Sequence, residues 1–348
     1  MATDESERIS ERERKRDEWL DQRKETALEP GVPIVDPLHH LWDHPGSRYM
    51  LDEIIRDTNS GHRVLATVFV ECMSMYRADG PAAMKPVGET EFVNGIAAQS
   101  ASGRYGETRV AAGIVSFADL ALGGAVEEVL QAHINAAPAR FRGIRHAAGF
   151  DASPEVRNSH TNPPADLYSS TRFREGFARL KPLGLSFDAW HYHPQMQGLT
   201  ELARAFPDTP IVLDHFGGPL GIGPYEGRRA EIFERWKSDI AELAQCPNVV
   251  AKLGGINMPV NGFGWHRRPS PPSSDELAAA TRNYYLHAID QFGPKRCMFE
   301  SNFPADKISC SYAVLWNVFK KIAAGFNAEE KAWLFHRTAA EFYRVNLP

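Results

Sequence analysis

The sequence predicts an α/β chain: a single (β/α)8 TIM barrel over residues 30–348, behind a charged N-terminal helical arm over residues 1–29. Three observations carry this. Short β-rich runs recur eight times from Val32 onward, and amphipathic segments of helical period separate them. The first run is followed by neither a GxGxxG turn nor a P-loop, which weighs against an open doubly wound sheet. Alternation of strand and helix implies parallel strands, because each crossover must return over the sheet. Eight such strands can close on themselves and leave no edge.

The runs, in order, are Pro33–Asp36, Val64–Glu71, Arg109–Ser116, Phe141–His146, Leu185–Ala189, Ile211–His215, Val249–Lys252 and Cys297–Ser301. Helical patterns between them include Glu91–Ala101, Ala125–Ala136, Arg172–Leu183, Gln197–Phe206, Arg229–Ala244 and Ser274–Phe292. Ser273 and Ser274 ahead of Asp275 and Glu276 mark the start of the last, since hydroxyls and carboxylates satisfy the free N–H groups there. KPLG at 181–184 and FPDTP at 206–210 read as stops before the next strand. Asp151–Asp166 and Asn257–Ser274 look inserted. Both follow strands, so both should shape access at the C-terminal rim.

In the arm, residues 3–27 mix acids and bases with few apolar residues. Glu7, Glu11 and Lys15 follow at four-residue steps, as on a solvated helix. Trp19 and Leu20 are its apolar exceptions, suited to packing on the chain's own barrel or to an oligomer contact.

Composition narrows the classes. The chain has 348 residues, 43% of them hydrophobic, and a net charge of −5 with no Lys/Arg-rich run, so no nucleic-acid footprint is expected. No apolar stretch approaches the roughly 20 residues a membrane span needs. The charged N-terminus lacks the apolar centre of a secretory signal. Cys72, Cys246, Cys297 and Cys310 form no CxxC pair, as expected of thiols in a cytoplasmic protein without a zinc knuckle.

Reactive groups of a barrel stand at the C-terminal ends of its strands. Here those ends supply Asp36, Leu38 and His40; Glu71; Ser116; Arg145 and His146; Asp188, His191 and His193; Asp214 and His215; Lys252; and Ser301 and Asn302. By period-two register Leu38 and His40 face the barrel, His39 faces the helices, and Asp214 faces outward beside an inward His215.

IVDPLHHLWD at 34–43 resembles the opening of the amidohydrolase-related (amidohydrolase 2) family, in the lactonase-like branch of the amidohydrolase superfamily. FRGIRH at 141–146, PIVLDHFGGP at 210–219 and CMFESNFPADK at 297–307 agree with it, so the resemblance spans about residues 30–347. It implies a His-x-His metal grip on the first strand and an Asp on the eighth that binds metal and takes a proton from water. This chain has Leu38 and Asn302 at those places. A hydrocarbon cannot ligate, and a neutral amide is a poor base and a weak ligand.

The ligands that remain are His40, His193 and His215, with Glu71 as an anionic fourth, for a divalent Zn, Mn or Fe held weakly or not at all. The expected activity is hydrolysis of a carboxylated lactone or similar small cyclic ester. Arg145 and Lys252 would hold the carboxylate, and a histidine or Glu71 would handle the proton of the reacting water, with Asn302 also at the catalytic site. Bland readings compete: a Glu71–Arg145 ion pair, and a salt bridge from Lys252 to Asp214 or Glu300. The alternative function is a non-catalytic barrel subunit in a homo- or hetero-oligomer, supporting an active metal-dependent paralogue such as an oxygenase or decarboxylase.

Overall fold

Each β-rich run becomes a strand, and all eight join one parallel sheet in chain order. In the computed structural model, which describes residues 11, 13–44 and 47–347, the strands are β1 (Pro33–His39), β2 (Arg63–Val70), β3 (Arg109–Ser116), β4 (Phe141–Arg145), β5 (Ser186–Ala189), β6 (Ile211–Leu213), β7 (Val249–Leu253) and β8 (Cys297–Phe299). The ring closes just beyond the strand ends. His39 bridges Phe303 in parallel, Asn302 N donates to Leu38 O at 3.0 Å, and His40 N donates to Phe303 O at 2.7 Å. Leu38, His40 and Asn302 therefore share one seam.

Alternation sorts the side chains into two cores. Val35, Leu38, Ala66, Val68, Val70, Val115, Val212 and Met298 fill the barrel interior. Ile34, Phe69, Ile114, Phe187, Leu213, Leu253 and Phe299 point outward, against helix residues such as Leu130, Leu199, Trp236, Leu277 and Trp316. The strands are apolar on both faces because both faces are covered. Tyr343 and Val345, from the C-terminal segment, complete the inner core. Tyr343 enters from the N-terminal end of the barrel: its carbonyl accepts from Arg142 Nε at 2.6 Å, and its hydroxyl reaches Asp188 Oδ2 at 2.6 Å.

The helices follow the expected pattern with two differences. The segment from Arg172 is helical only over Thr171–Phe177 and continues as turns, and Trp42–His44 pairs with Ser47–Tyr49 in a small hairpin that the sequence pattern does not announce. The capping signal before Ser274–Phe292 is realised: Ser273 Oγ accepts from Glu276 N, and Glu276 Oε2 accepts from Ser273 N at 2.8 Å. No helix among the described residues is long and apolar enough to cross a membrane.

Glu7 and the rest of residues 1–10 lie outside the described residues, as does Arg12. Residues 13–20 are helical, and Glu11 pairs with Lys15 at 2.6 Å. The arm then lies along its own barrel. Trp19 Nε1 donates to Arg268 O at 3.0 Å, Glu25 Oε1 accepts from Ser274 N at 2.8 Å, and Lys320 Nζ donates to Leu28 O at 2.6 Å.

The Tyr343 hydroxyl is buried against a carboxylate, so losing it removes a charge-assisted hydrogen bond that water cannot replace. Tyr343→Phe should cost about 1–3 kcal/mol, read as a lower urea midpoint. An unchanged midpoint would show that the contact does not hold the C-terminal segment in the barrel.

Candidate active site at the barrel mouth

The seam sets the first residues of the site. The β1–β2 register slips between Asp36 and His39. Strict period-two register, which put Asp36, Leu38 and His40 on one face, therefore fails at Asp36. Its carboxylate instead accepts from Ser301 N at 2.9 Å and Tyr312 OH at 2.9 Å, tying β1 to the eighth strand and an outer helix. Beyond the slip Leu38 enters the inner core and His39 packs edge-on against outward-facing Phe69. His40 turns to the mouth. Its Nδ1 meets Val70 O at 2.8 Å and its ring stacks on Trp42 at 5.9 Å between centroids. Burial, reinforced by the nearby Arg145 charge, pushes the imidazole down to about 3, so it is neutral with Nδ1–H as donor.

Inside the mouth lies a chain of buried charges. Arg145 Nε donates to Glu71 Oε1 at 2.7 Å, its NH2 group donates to Glu71 O at 2.7 Å, and its NH1 group stands 3.5 Å from Asp214 Oδ2. Lys252 Nζ donates to Asp188 Oδ2 at 2.6 Å and pairs with Asp214 Oδ1 at 3.2 Å. Asp214 thus links the two cations. The outward orientation expected for Asp214 is corrected by the same alternation that builds the strand: Val212 faces in, Leu213 out, and Asp214 in again. His215 nevertheless also reaches the mouth, because it and Phe216 adopt left-handed backbone, with φ of 52° and 57°. Such residues cost on the order of 1–3 kcal/mol each and persist where surrounding structure holds them.

His215 Nδ1 lies 2.5 Å from Glu300 Oε1. Gly254 and Gly255 after β7 allow this approach: a Cβ on Gly255 would come within 2.3 Å of His215 Nδ1, and one on Gly254 within 2.4 Å of Glu300 Cγ. With Nδ1 taken by Glu300, His215 Nε2 has no hydrogen-bond partner among the described residues. On the same side Asn302 Nδ2 donates to Asp306 Oδ1 at 3.2 Å.

Electrostatics follow from crowding. Five fully buried carboxylates (Glu71, Asp188, Asp214, Glu300 and Asp306) face two permanent cations, Arg145 and Lys252. Burial alone would raise Glu71, but Arg145 and His160 outweigh it and hold the carboxyl at about 2. Asp214 is likewise held low against its burial by Lys252, His215 and Arg145. Asp188 and Asp306 have too little compensation: burial lifts them to about 6 and about 7.

Of the residues singled out from sequence, the structure gathers His40, Glu71, Arg145, His215 and Asn302 at the mouth and sets Lys252 deeper, fully buried beneath Asp214 and beside the Tyr343 ring. His193 stands apart. Its Nδ1 accepts from Leu220 N at 3.3 Å and its ring abuts Tyr225, so the three expected histidines do not converge. Glu71–Arg145 and Lys252–Asp214 form the ion pairs that were the bland alternatives. Three contributors went unread: His160, whose Nε2 comes within 3.1 Å of Glu71 Oε2 from the inserted 151–166 segment, Glu300 as the partner of His215, and Asp306. The glycine pair at 254–255 and a carboxylate four residues past Asn302 were the available signals.

These residues do not fit a metal cage. Leu38 offers hydrocarbon, Asn302 a neutral amide already donating to Asp306, and His193 is turned away. Among the described residues no group of three or more His, Cys, Asp or Glu is placed to hold an ion.

Comparison with known proteins matches residues 35–345 to the Amidohydrolase family model. An uncharacterised protein of Sinorhizobium fredii is 32% identical over 336 residues, covering 90% of this chain and 99% of that one. An L-fucono-1,5-lactonase of Burkholderia multivorans is 27% identical over 332 residues, covering 91% and 98%. A Burkholderia multivorans amidohydrolase solved with bound Zn superposes with a TM-score of 0.69 at 22% identity, over 90% of this chain and 99% of that one.

Asp306 supplies a test of the crowded mouth. Its carboxyl rises from an ordinary 3.8 to about 7, so the native state binds this proton more tightly than the unfolded chain does. That stabilisation is full below about pH 4 and is lost as pH rises toward 7. Asp306→Asn stays neutral and keeps the shape, so its gain in thermal midpoint over wild type should be larger at pH 8 than at pH 4.5. Parallel curves for the two proteins would contradict the assignment.

Proposed function

This chain belongs to the amidohydrolase family, and from that premise we propose that it hydrolyses a lactone or similar small cyclic ester, with His215 as the base. The observation that carries the reading is the His215–Glu300 pair at 2.5 Å, which engages Nδ1 and leaves Nε2 without a hydrogen-bond partner among the described residues. The similarity to a lactonase over nearly the whole of both chains supports the substrate class.

The chemistry needs only water and the ester. His215 Nε2 takes a proton as water oxygen adds to the carbonyl carbon, and the resulting imidazolium is stabilised by the Glu300 carboxylate. The negative charge that develops on the carbonyl oxygen is met by Arg145, whose NH1 group is its least committed donor at 3.5 Å from Asp214. Collapse breaks the ring C–O bond, and His215 returns the proton to the departing alkoxide. The product is an open-chain hydroxy acid. Glu71, held ionised at about 2, is a poor base at neutral pH and acts as the anchor that orients Arg145. The Asn302 amide positions Asp306 beside His215. No step in this reading calls on a metal ion.

The test is acid release from a panel of 1,4- and 1,5-lactones, followed with a pH indicator, with and without chelator. Wild type should hydrolyse members of the panel equally in both conditions, and His215→Asn should lower kcat by roughly 10²–10⁴-fold with its thermal midpoint little changed. Wild-type rates at background, or a His215→Asn variant as fast as wild type, would overturn the proposal.

A further inference from the structure

Arg145 and Lys252 were the cations expected to hold a substrate carboxylate, yet both are committed to carboxylates of the barrel itself. The cationic surface lies elsewhere. A cavity of about 590 Å³ opens at the rim, walled by Arg16 and Trp19 of the arm, Trp42 of the hairpin, Arg267 and Arg268 of the inserted 257–274 segment, and Ala305. Lys15 adds a fourth cation, and the one carboxylate in the lining, Glu13, already accepts from Arg48 N at 2.8 Å.

Two of these cations are available. Arg267 has no carboxylate partner among the described residues, and Arg16 has only a stretched 3.4 Å contact to its neighbour Asp17. Arg268 and Lys15 are engaged with Glu276 and Glu11. Two parts of the cavity lining border residues of the mouth. Trp42 stacks on His40, and Pro304 and Ala305 join Asn302 to Asp306. Trp19 is held in the wall by its hydrogen bond to Arg268 O.

The arm lies outside the family match, which begins at residue 35.

We propose that this cavity binds the carboxylate-bearing portion of a planar organic acid, with Arg16 and Arg267 pairing to the carboxylate and Trp19 and Trp42 as apolar walls. The assignment rests on the hydrolase reading and narrows its substrate to carboxylated cyclic esters, selected by the arm. Planar guanidinium forks suit carboxylates bidentately, and indole rings suit a flat apolar body.

Binding is testable without turnover. Tryptophan fluorescence of the full chain is titrated with benzene-1,3-dicarboxylate and, separately, with neutral benzene-1,3-dicarboxamide. The dicarboxylate should quench saturably and at least ten-fold more tightly than the diamide. The Arg16→Gln/Arg267→Gln double variant, folded by circular dichroism, should weaken it at least ten-fold, and Arg267→Gln alone should weaken it measurably. Equal affinity for the two probes, or a double variant that binds the dicarboxylate as wild type does, overturns the proposal. Either result stands whether or not any lactone is hydrolysed, so failure of this site and failure of the hydrolase reading are distinguished.

Discussion

Arg145 is the interaction on which the mouth depends. Its guanidinium joins Glu71 on one side to Asp214 on the other, and Asp214 passes the connection to Lys252 and Asp188. Five strands are therefore tied through one buried charge chain. A buried ion that loses its partner is costly, because desolvation is already complete and nothing remains to offset it. The positions of these side chains follow from that cost more than from any single attraction. Tyr343 extends the chain downward to the C-terminal segment, so the site and the closure of the barrel floor share one carboxylate, Asp188.

The seam between the first and eighth strands explains why such a network occupies the mouth. Backbone bonds from Asn302 to Leu38 and from His40 to Phe303 place those positions together. With a hydrocarbon at 38 and an amide at 302, the donors that could share a cation are reduced. Negative charge is instead managed by protons and protein partners: Asp306 is lifted to about 7, and Glu300 Oε1 pairs with His215 Nδ1. Nδ1 of His40 and of His215 is each already engaged with a protein oxygen, Val70 O and Glu300 Oε1, rather than free for a shared ligand set.

The fold was legible because its signals are local. Alternating apolar runs and helix starts such as Ser273 determine element type without knowledge of neighbours, and all eight strands were readable that way. The site was legible where it depends on residue type: His40, Glu71, Arg145 and His215 were visible as chemistry at strand ends. It was not legible where it depends on backbone departures or distant partners. The register slip after Asp36 breaks period two on β1, and the left-handed turn brings His215 in beside an Asp214 that already faces inward by alternation, so the face expected for Asp214 was reversed. His160 reaches Glu71 from a loop with no periodic pattern, and the commitment of Lys252 to Asp188 is a tertiary pairing across two strands. His193 shows the converse: a histidine at a plausible strand end whose chain has already turned toward Leu220 and Tyr225.

Leu38 is one of three features, with Asn302 and the turned-away His193, that leave this mouth to protein charges rather than to a metal. Leu38 packs among Val35, Val68 and Val70, so an imidazole there would enter an apolar layer and lower stability unless an ion filled the site. Elemental analysis of the wild-type chain and of Leu38→His, purified alone and dialysed identically, tests this directly. Less than one tightly bound divalent metal per wild-type chain is expected, with a higher occupancy in the variant. Stoichiometric metal in the wild type, or no gain on Leu38→His, would contradict it.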